Sequence, residues 1–397
     1  MLATLDSESR QSNSRKKPGT LWPGLAVAAI AAWSLVYLAL GIMWLTGGPG
    51  NPADPAVDEG ATLSLLGSWG PQAGAVMITV LAGLGVLLTA AMTVQPAGSG
   101  RTGLNRVRLV HHLLPVMAGT LGVVLAIVLP DYRLLATVAY APILLVLLVF
   151  GAAPEGASLW EWPVLNMAVL SLAGLAWIVA AASYHRKLRE VTASVQGKAR
   201  RGPGWTTPEA TARWGRWATA VAVAVPLGYA TTRYAWALGI PLGVDQQLLE
   251  DLGNGVYAGA GLATLGVGGA MLTLGLVQRW GESFPRWMLG LRGRRVPIGL
   301  AVVPAALVSV AVTSAGLMFI RFGISGKFGD TFPGENGDVA AWLPEMFWPL
   351  WGVALAAATF AYWLRRRGGD RPVSGYQPEV PGSPLNGPTT SSVIQPP

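Results

Sequence analysis

Long apolar runs recur along the chain, and nearly every charged residue lies between them rather than within them. A run of about 18 or more such residues reaches across the hydrocarbon of a bilayer. Nine segments fit, near residues 22–45, 73–94, 109–129, 134–152, 163–184, 216–240, 255–277, 297–320 and 347–364. The expected fold is therefore an all-α, multi-pass integral membrane helical bundle of eight to nine membrane segments. Composition agrees. Charged residues make up 12% of the chain, where soluble domains average about 25%. The 51 glycines suit helices that pack in lipid through small residues.

The net charge of +8 does not point to nucleic acid, because the basic residues flank the apolar runs, where they set orientation against the membrane. The expected surroundings are the lipid bilayer, with a membrane or cytosolic protein as a further partner. Cysteine is absent, which excludes disulfides, thiolate metal sites and a cysteine nucleophile. Heavy use of Arg, Ala, Gly and Val is typical of high-GC bacterial genomes, so the expected location is the bacterial plasma (inner) membrane. The first run follows Arg15, Lys16 and Lys17 and extends to Leu45. It is too long for a signal-peptide core and reads as a retained span.

These features divide the chain into a disordered cytosolic tail (1–20), a first membrane half (21–184) with an extra apolar segment at 134–152, a basic cytosolic linker (185–215), a second half (216–367) and a Pro-rich disordered cytosolic tail (368–397). The halves resemble each other. A shift of 192 places Trp22, Tyr37, Trp44 and Gly47 on Trp214, Tyr229, Trp236 and Gly239. A shift of 189 places Arg106 and Pro115 on Arg295 and Pro304, and one of 186 places Trp162, Pro163 and Trp177 on Trp348, Pro349 and Trp363. An internal two-fold repeat is expected, with biased composition as the alternative.

Charge bears on the number of crossings. With the N-terminus inside and eight crossings, the clusters Arg10–Lys17, Arg101–Arg108, Arg186–Arg216, Arg279–Arg295 and Arg365–Arg371 all face the cytoplasm. Asp54, Asp58, Glu250, Asp251, Asp330, Glu335 and Glu345 then lie outside. Nine crossings would put one half's clusters on the wrong face, so 134–152 is expected to re-enter or lie at the interface. Its composition, however, is apolar enough to span.

Among candidate functional residues, Arg233 stands out in "TTRYAWALGIPLG", roughly 10 Å inside its span. A charge at that depth marks a functional candidate unless it snorkels to the interface. Glu250 and Asp251 in the following loop are possible partners. With Thr232 and Tyr234, Arg233 could recognise an anion or a headgroup from an outward cavity; plain snorkelling is the simpler expectation. His111 and His112 are adjacent on a helix and point about 100° apart, so they cannot easily share a metal. No metal or cofactor is implied. Asn166 is expected to bond a neighbouring helix. The 17 tryptophans gather near span ends, and Trp22, Trp44, Trp162, Trp214, Trp236 and Trp348 are read as interfacial anchors. Walker, G-x-S-x-G and H-E-x-x-H motifs do not occur, and the glycines of 259–275 suggest a packing face.

The Trp236-Ala237-Leu238-Gly239 exit, the Gly-rich span after it and the final Trp-Pro span resemble a family of small, four-span bacterial membrane proteins carrying a W-A-L-G-G-type motif. Trp44-Leu45-Thr46-Gly47 is a looser copy, and Ile240, not a second glycine, follows Leu238-Gly239. The family has no established activity, so the resemblance implies topology and no chemistry. Three function classes follow: a non-enzymatic scaffold or regulator, a transporter for a small or anionic solute, and a membrane-embedded enzyme on lipid or cell-wall precursors. Eight crossings place a reporter fused at about residue 156 outside and one at about residue 200 in the cytoplasm; an outward-facing residue 200 would overturn the parallel arrangement of the halves.

Overall fold

The computed structural model describes residues 21–93, 104–151, 161–196, 203–285, 288, 290–326 and 338–368. The expected tail at 1–20 lies outside the described residues, as do the side chains of Trp22, His111 and His112 and all of the expected tail at 368–397 except Gly368, which ends the last helix. Within them the chain is helical: α1 (Leu21–Leu45), α2 (Pro71–Thr93), α3 (Leu104–Val123), α4 (Tyr132–Val149), α5 (Trp162–Gln196), α6 (Pro208–Ala237), α7 (Gln246–Leu252), α8 (Gly255–Leu274), α9 (Ile298–Ser325), α10 (Val339–Met346) and α11 (Trp348–Gly368). Six stretches are long and apolar enough to cross a membrane: Leu25–Leu45, Pro71–Thr93, Trp162–Glu190, Gly255–Leu274, Ile298–Ser325 and Val339–Arg367. A seventh is possible if the bent pair Leu113–Val128 and Tyr132–Ala141 counts as one span. The 30-residue α6 falls short by composition, because Arg213, Arg216 and Arg233 dilute it.

The linker expected over 185–215 differs from the sequence reading. Residues 185–196 continue α5 and residues 208–215 open α6, whose N-terminus is capped by Thr207 accepting from the Ala210 N–H at 3.3 Å. The polar composition marks where the helices leave the apolar layer, and does not end them.

Packing follows the same scheme in both halves. In the first, α1 lies against α2 and α5, and α3 against α5; in the second, α6 lies against α8 and α11, and α9 against α11. Trp33, Tyr37, Ile78, Leu125, Leu170 and Trp177 centre the first core. Tyr229, Phe319 and Trp348 centre the second, and Leu63, Tyr132 and Leu135 of the first half pack onto it. In lipid, burial of apolar surface gives little reason for helices to associate, so close approach at small residues carries the contact. A Cβ added at Gly122 would lie 2.7 Å from the Gly174 carbonyl oxygen. One at Gly352 would collide with Thr313 and lie 2.6 Å from the Ser309 carbonyl oxygen.

The glycine-rich face expected on α8 is only partly a packing face. Gly259 and Gly266 meet Arg233 and Pro226 of α6, whereas Gly261, Gly268 and Gly269 have nothing within 4 Å of an added Cβ. α8 is also the least buried of the six membrane-length stretches.

The halves join at a break. α3 runs into a π-helical turn, Val124–Val128, and then bends 64° into α4. The freed carbonyls are claimed from three sides. Ser314 of α9 donates to Pro130 O at 2.9 Å, Ser171 of α5 to Ala126 O at 3.4 Å, and the Leu65 N–H to Leu129 O at 3.4 Å. Irregular backbone at this depth is tolerated because protein surrounds it. The described part of the apolar segment 134–152 thus falls mostly in the 18-residue α4, which docks onto α9 and α8 of the other half.

Replacing Gly352 by Ala is expected to cost about 1–3 kcal/mol through overpacking, seen as a lowered Tm of the detergent-solubilised protein. Gly268→Ala is expected to leave Tm unchanged or raised, since Ala favours a helix by about 1 kcal/mol over Gly.

Candidate functional site: a buried arginine pair and a lateral groove

Helical spacing places Tyr229, Arg233 and Trp236 on one face of α6. The Arg233 guanidinium carbon lies 4.7 Å from the Tyr229 ring centroid and 4.2 Å from that of Trp236, a cation–π arrangement on two rings. Its nitrogens donate to Ala340 O at 3.1 Å and Ala341 O at 3.2 Å, and Nη2 forms an ion pair with Glu345 Oε1. The sequence supplies the first acceptor directly. Four residues after Ala340 stands Pro344, which has no N–H to close the helical bond, so the Ala340 carbonyl is left for the arginine.

Arg233 therefore does not snorkel. It is 6% exposed, and Glu345 is equally buried. Glu250 and Asp251 sit exposed on α7, and the ion pair that Arg233 makes is with Glu345 instead. Thr232 turns back to Tyr229 O at 2.8 Å, and the Tyr234 hydroxyl lies 3.0 Å from Thr264 Oγ1 on α8. The structure thus does not bring Thr232, Tyr234, Glu250 and Asp251 together around Arg233. Glu345 was grouped with the outer acidic loops on sequence; Pro344–Glu345 at the mouth of the last span was its one available signal.

A second charged cluster stands in the first half. Asp131 caps α4 by accepting from the Arg133 N–H at 2.8 Å, and the Arg133 side chain reaches both Asp131 (Nη2 to Oδ2, 2.7 Å) and Asp58 (Nη1 to Oδ1, 2.5 Å; Nη2 to Oδ2, 3.0 Å). Asp131 is fully buried. Arg321 of α9 donates to the Leu63 carbonyl, which ties the second half to the same loop. Beside this cluster, Asp58, Ser64, Arg133 and Asn166 border a cavity of about 10 Å³, which is about one water in size. Asn166 accepts from the Tyr37 hydroxyl at 2.7 Å, the interhelical bond expected of it.

The tryptophans divide. Trp162 is 39% exposed and donates to Gly50 O at 2.8 Å; Trp214 is half-buried and donates to Trp205 O at 3.1 Å. Trp44, Trp236 and Trp348 are buried, so their rings pack the protein and do not reach headgroups. Trp44 donates to Pro49 O and Trp236 to Leu242 O, each at 3.1 Å, closing the chain reversal after each helix. Gly47 (φ 81°) and Gly239 (φ 77°) both adopt the left-handed conformation these reversals need.

Two larger cavities lie elsewhere. Between α8 and α9 an apolar groove of about 460 Å³ is bordered by Gly269, Leu272, Trp280, Met288, Pro304 and Trp351. A second cavity of about 850 Å³ continues it around α8, sharing Gly269, Leu272, Trp280 and Pro285. The connector between α8 and α9 forms the floor, and the end of α11 clamps it. The Tyr362 hydroxyl donates to Gly281 O at 2.8 Å, Arg366 to Glu282 O at 3.2 Å and Val296 O at 2.8 Å, and Arg365 to Leu276 O. Among the described residues, no three His, Cys, Asp or Glu side chains converge as metal ligands.

Comparison with family models, curated proteins and solved structures finds no match. Breaking a buried ion pair from one side costs about 3–5 kcal/mol, whereas replacing both partners by apolar residues is often neutral or stabilising. Arg233→Met is therefore expected to lower Tm and abundance sharply, and Arg233→Met with Glu345→Leu to recover most of both. A double variant no better than the single one would show that Arg233 acts through something other than Glu345.

Proposed function

We propose that this chain is a non-enzymatic multi-pass protein of the bacterial plasma membrane that scaffolds or regulates partners. The observation that supports this reading is how the membrane-depth charges are used. Arg233 is committed to Glu345 and two carbonyls, and Arg133 to Asp58 and Asp131, so these groups hold the protein together. A solute pathway or a catalytic centre would need ionisable groups directed at something other than the protein. The junction of the halves is filled by α4 and the π turn against α9, which favours a scaffold over a transporter with a site at the repeat interface.

In this reading the chain is a duplicated four-span unit. The shared packing scheme and the matched Trp44/Trp236 and Gly47/Gly239 reversals favour the duplication, as does the resemblance of Trp236–Gly239 to the four-span family. Eight crossings result when α6 and the α3–π segment span along with the six apolar helices, and α4 stays within the outer half of the bundle. Both termini then face the cytoplasm, together with the basic end of α5. His185, Arg186, Lys187 and Arg189 are exposed there and form the proposed docking surface for an acidic protein partner.

A photo-crosslinking residue at Lys187 in the full-length protein, in its native membrane, is expected to give one adduct of discrete mass. Charge reversal at Arg186 and Arg189 is expected to abolish it. Absence of any discrete adduct, together with solute uptake by proteoliposomes, would replace this reading by transport.

A further inference from the structure

The groove between α8 and α9 has three properties that together specify an occupant: its length, its volume and the charge at its mouth. Its α9 wall runs from Leu300, near the start of the helix, to Val308. Eight residues of helix rise about 12 Å, less than half of a hydrocarbon core of about 30 Å. The groove thus fits within one leaflet.

Its volume of about 460 Å³ lies in the range of small-molecule sites, about 300–1,000 Å³. The walls are mostly apolar side chains and, at Gly269, bare α8 backbone with open space where a Cβ would stand. A flexible hydrocarbon chain can follow such a surface.

The mouth is basic. The connector from Gln278 to Pro297 carries five arginines and one glutamate, Glu282. Arg279, Arg292 and Arg294 are exposed on it, as are Arg295 and Glu282. Arg365 and Arg366 donate to carbonyls at both ends of the connector, which holds the basic mouth in place. Trp280 stands at this rim, 37% exposed, at the level where amphipathic rings favour headgroups. Basic pockets between spans at a membrane face suit anionic headgroups.

We propose that this groove is a binding site for one anionic phospholipid, with an acyl chain between α8 and α9 and its phosphate against Arg279, Arg292 and Arg294. The site rests on the membrane-embedded reading above and gives the proposed scaffold a lipid-dependent element. Lipid hydrocarbon elsewhere is as apolar as the groove, so preference for this lipid comes from the charge at the mouth and from the fit of the chain.

The test uses full-length protein in nanodiscs of phosphatidylcholine with a minority of phosphatidylglycerol, released into native mass spectrometry. The expected result is one phosphatidylglycerol retained per chain, enriched over its share of the bilayer. Each of Arg279→Gln, Arg292→Gln and Arg294→Gln is expected to reduce that enrichment about fivefold. Gly269→Phe, which grows into the open groove, is expected to remove the retained lipid altogether. Ala305→Phe on the opposite wall replaces it if Gly269→Phe does not fold, as judged by size-exclusion elution and Tm. Soluble glycerol phosphate is expected not to displace the lipid. Equal retention of both lipids, enrichment unchanged in the triple arginine variant, displacement by glycerol phosphate, or a change of oligomeric state in place of lipid loss would each overturn the proposal. The crosslink from α5 reads the scaffold role independently, so a negative lipid result beside a positive crosslink removes this site alone.

Discussion

A carbonyl without a partner is costly where no water is present, and the α3–α4 break creates several at once. How they are satisfied determines much of the architecture. Ser314 of the second half, Ser171 of α5 and the Leu65 backbone each supply a donor to the region. The break can exist only if α9, α5 and the loop between α1 and α2 surround it. Once they do, α4 is directed across the face of the second half, and the two cores become one packed body with Tyr132 and Leu135 against Phe319 and Trp348.

The buried charges reinforce this geometry from one end of the bundle. Arg133 gathers the Asp58 loop and the start of α4, and Arg321 reaches across to Leu63 of the same loop. Arg233 fastens α10 to α6, with Pro344 leaving one acceptor open for it. Desolvating such pairs offsets much of their attraction, so their main contribution is to select one arrangement over neighbouring ones. At the opposite end, Tyr362, Arg365 and Arg366 do the same for the connector by donating to its carbonyls. The bundle is loose by soluble standards at α8, and these clamps hold what surrounds α8 in place.

The helices and their approximate ends were legible because apolar length and flanking charge are local signals. The end of α5 was not, since a basic helix leaving the membrane has the composition of a linker. Arg233 was legible as an unusual residue, but its partner was not: Glu345 lies 112 residues away, and an acidic residue near a span end reads as a loop residue. The α8 glycines were misread in part for the same reason. A small-residue face marks close approach, and whether a neighbouring helix fills the space depends on packing that no local pattern encodes. The groove was invisible on sequence for that reason too, although both of its ingredients, the bare glycine face and the basic connector, were in plain view.

The two arginine sites differ in the order in which a growing chain supplies them. Arg133 emerges after both Asp58 and Asp131, so its carboxylates are waiting when it arrives. Arg233 emerges 112 residues ahead of Glu345. At about 5–20 residues per second, the interval is roughly 6–22 s. During that time Arg233 lacks the carboxylate it pairs with in the folded protein. The fastening of α10 to α6 thus waits until α10 itself has been made, after α8 and α9 have left the ribosome.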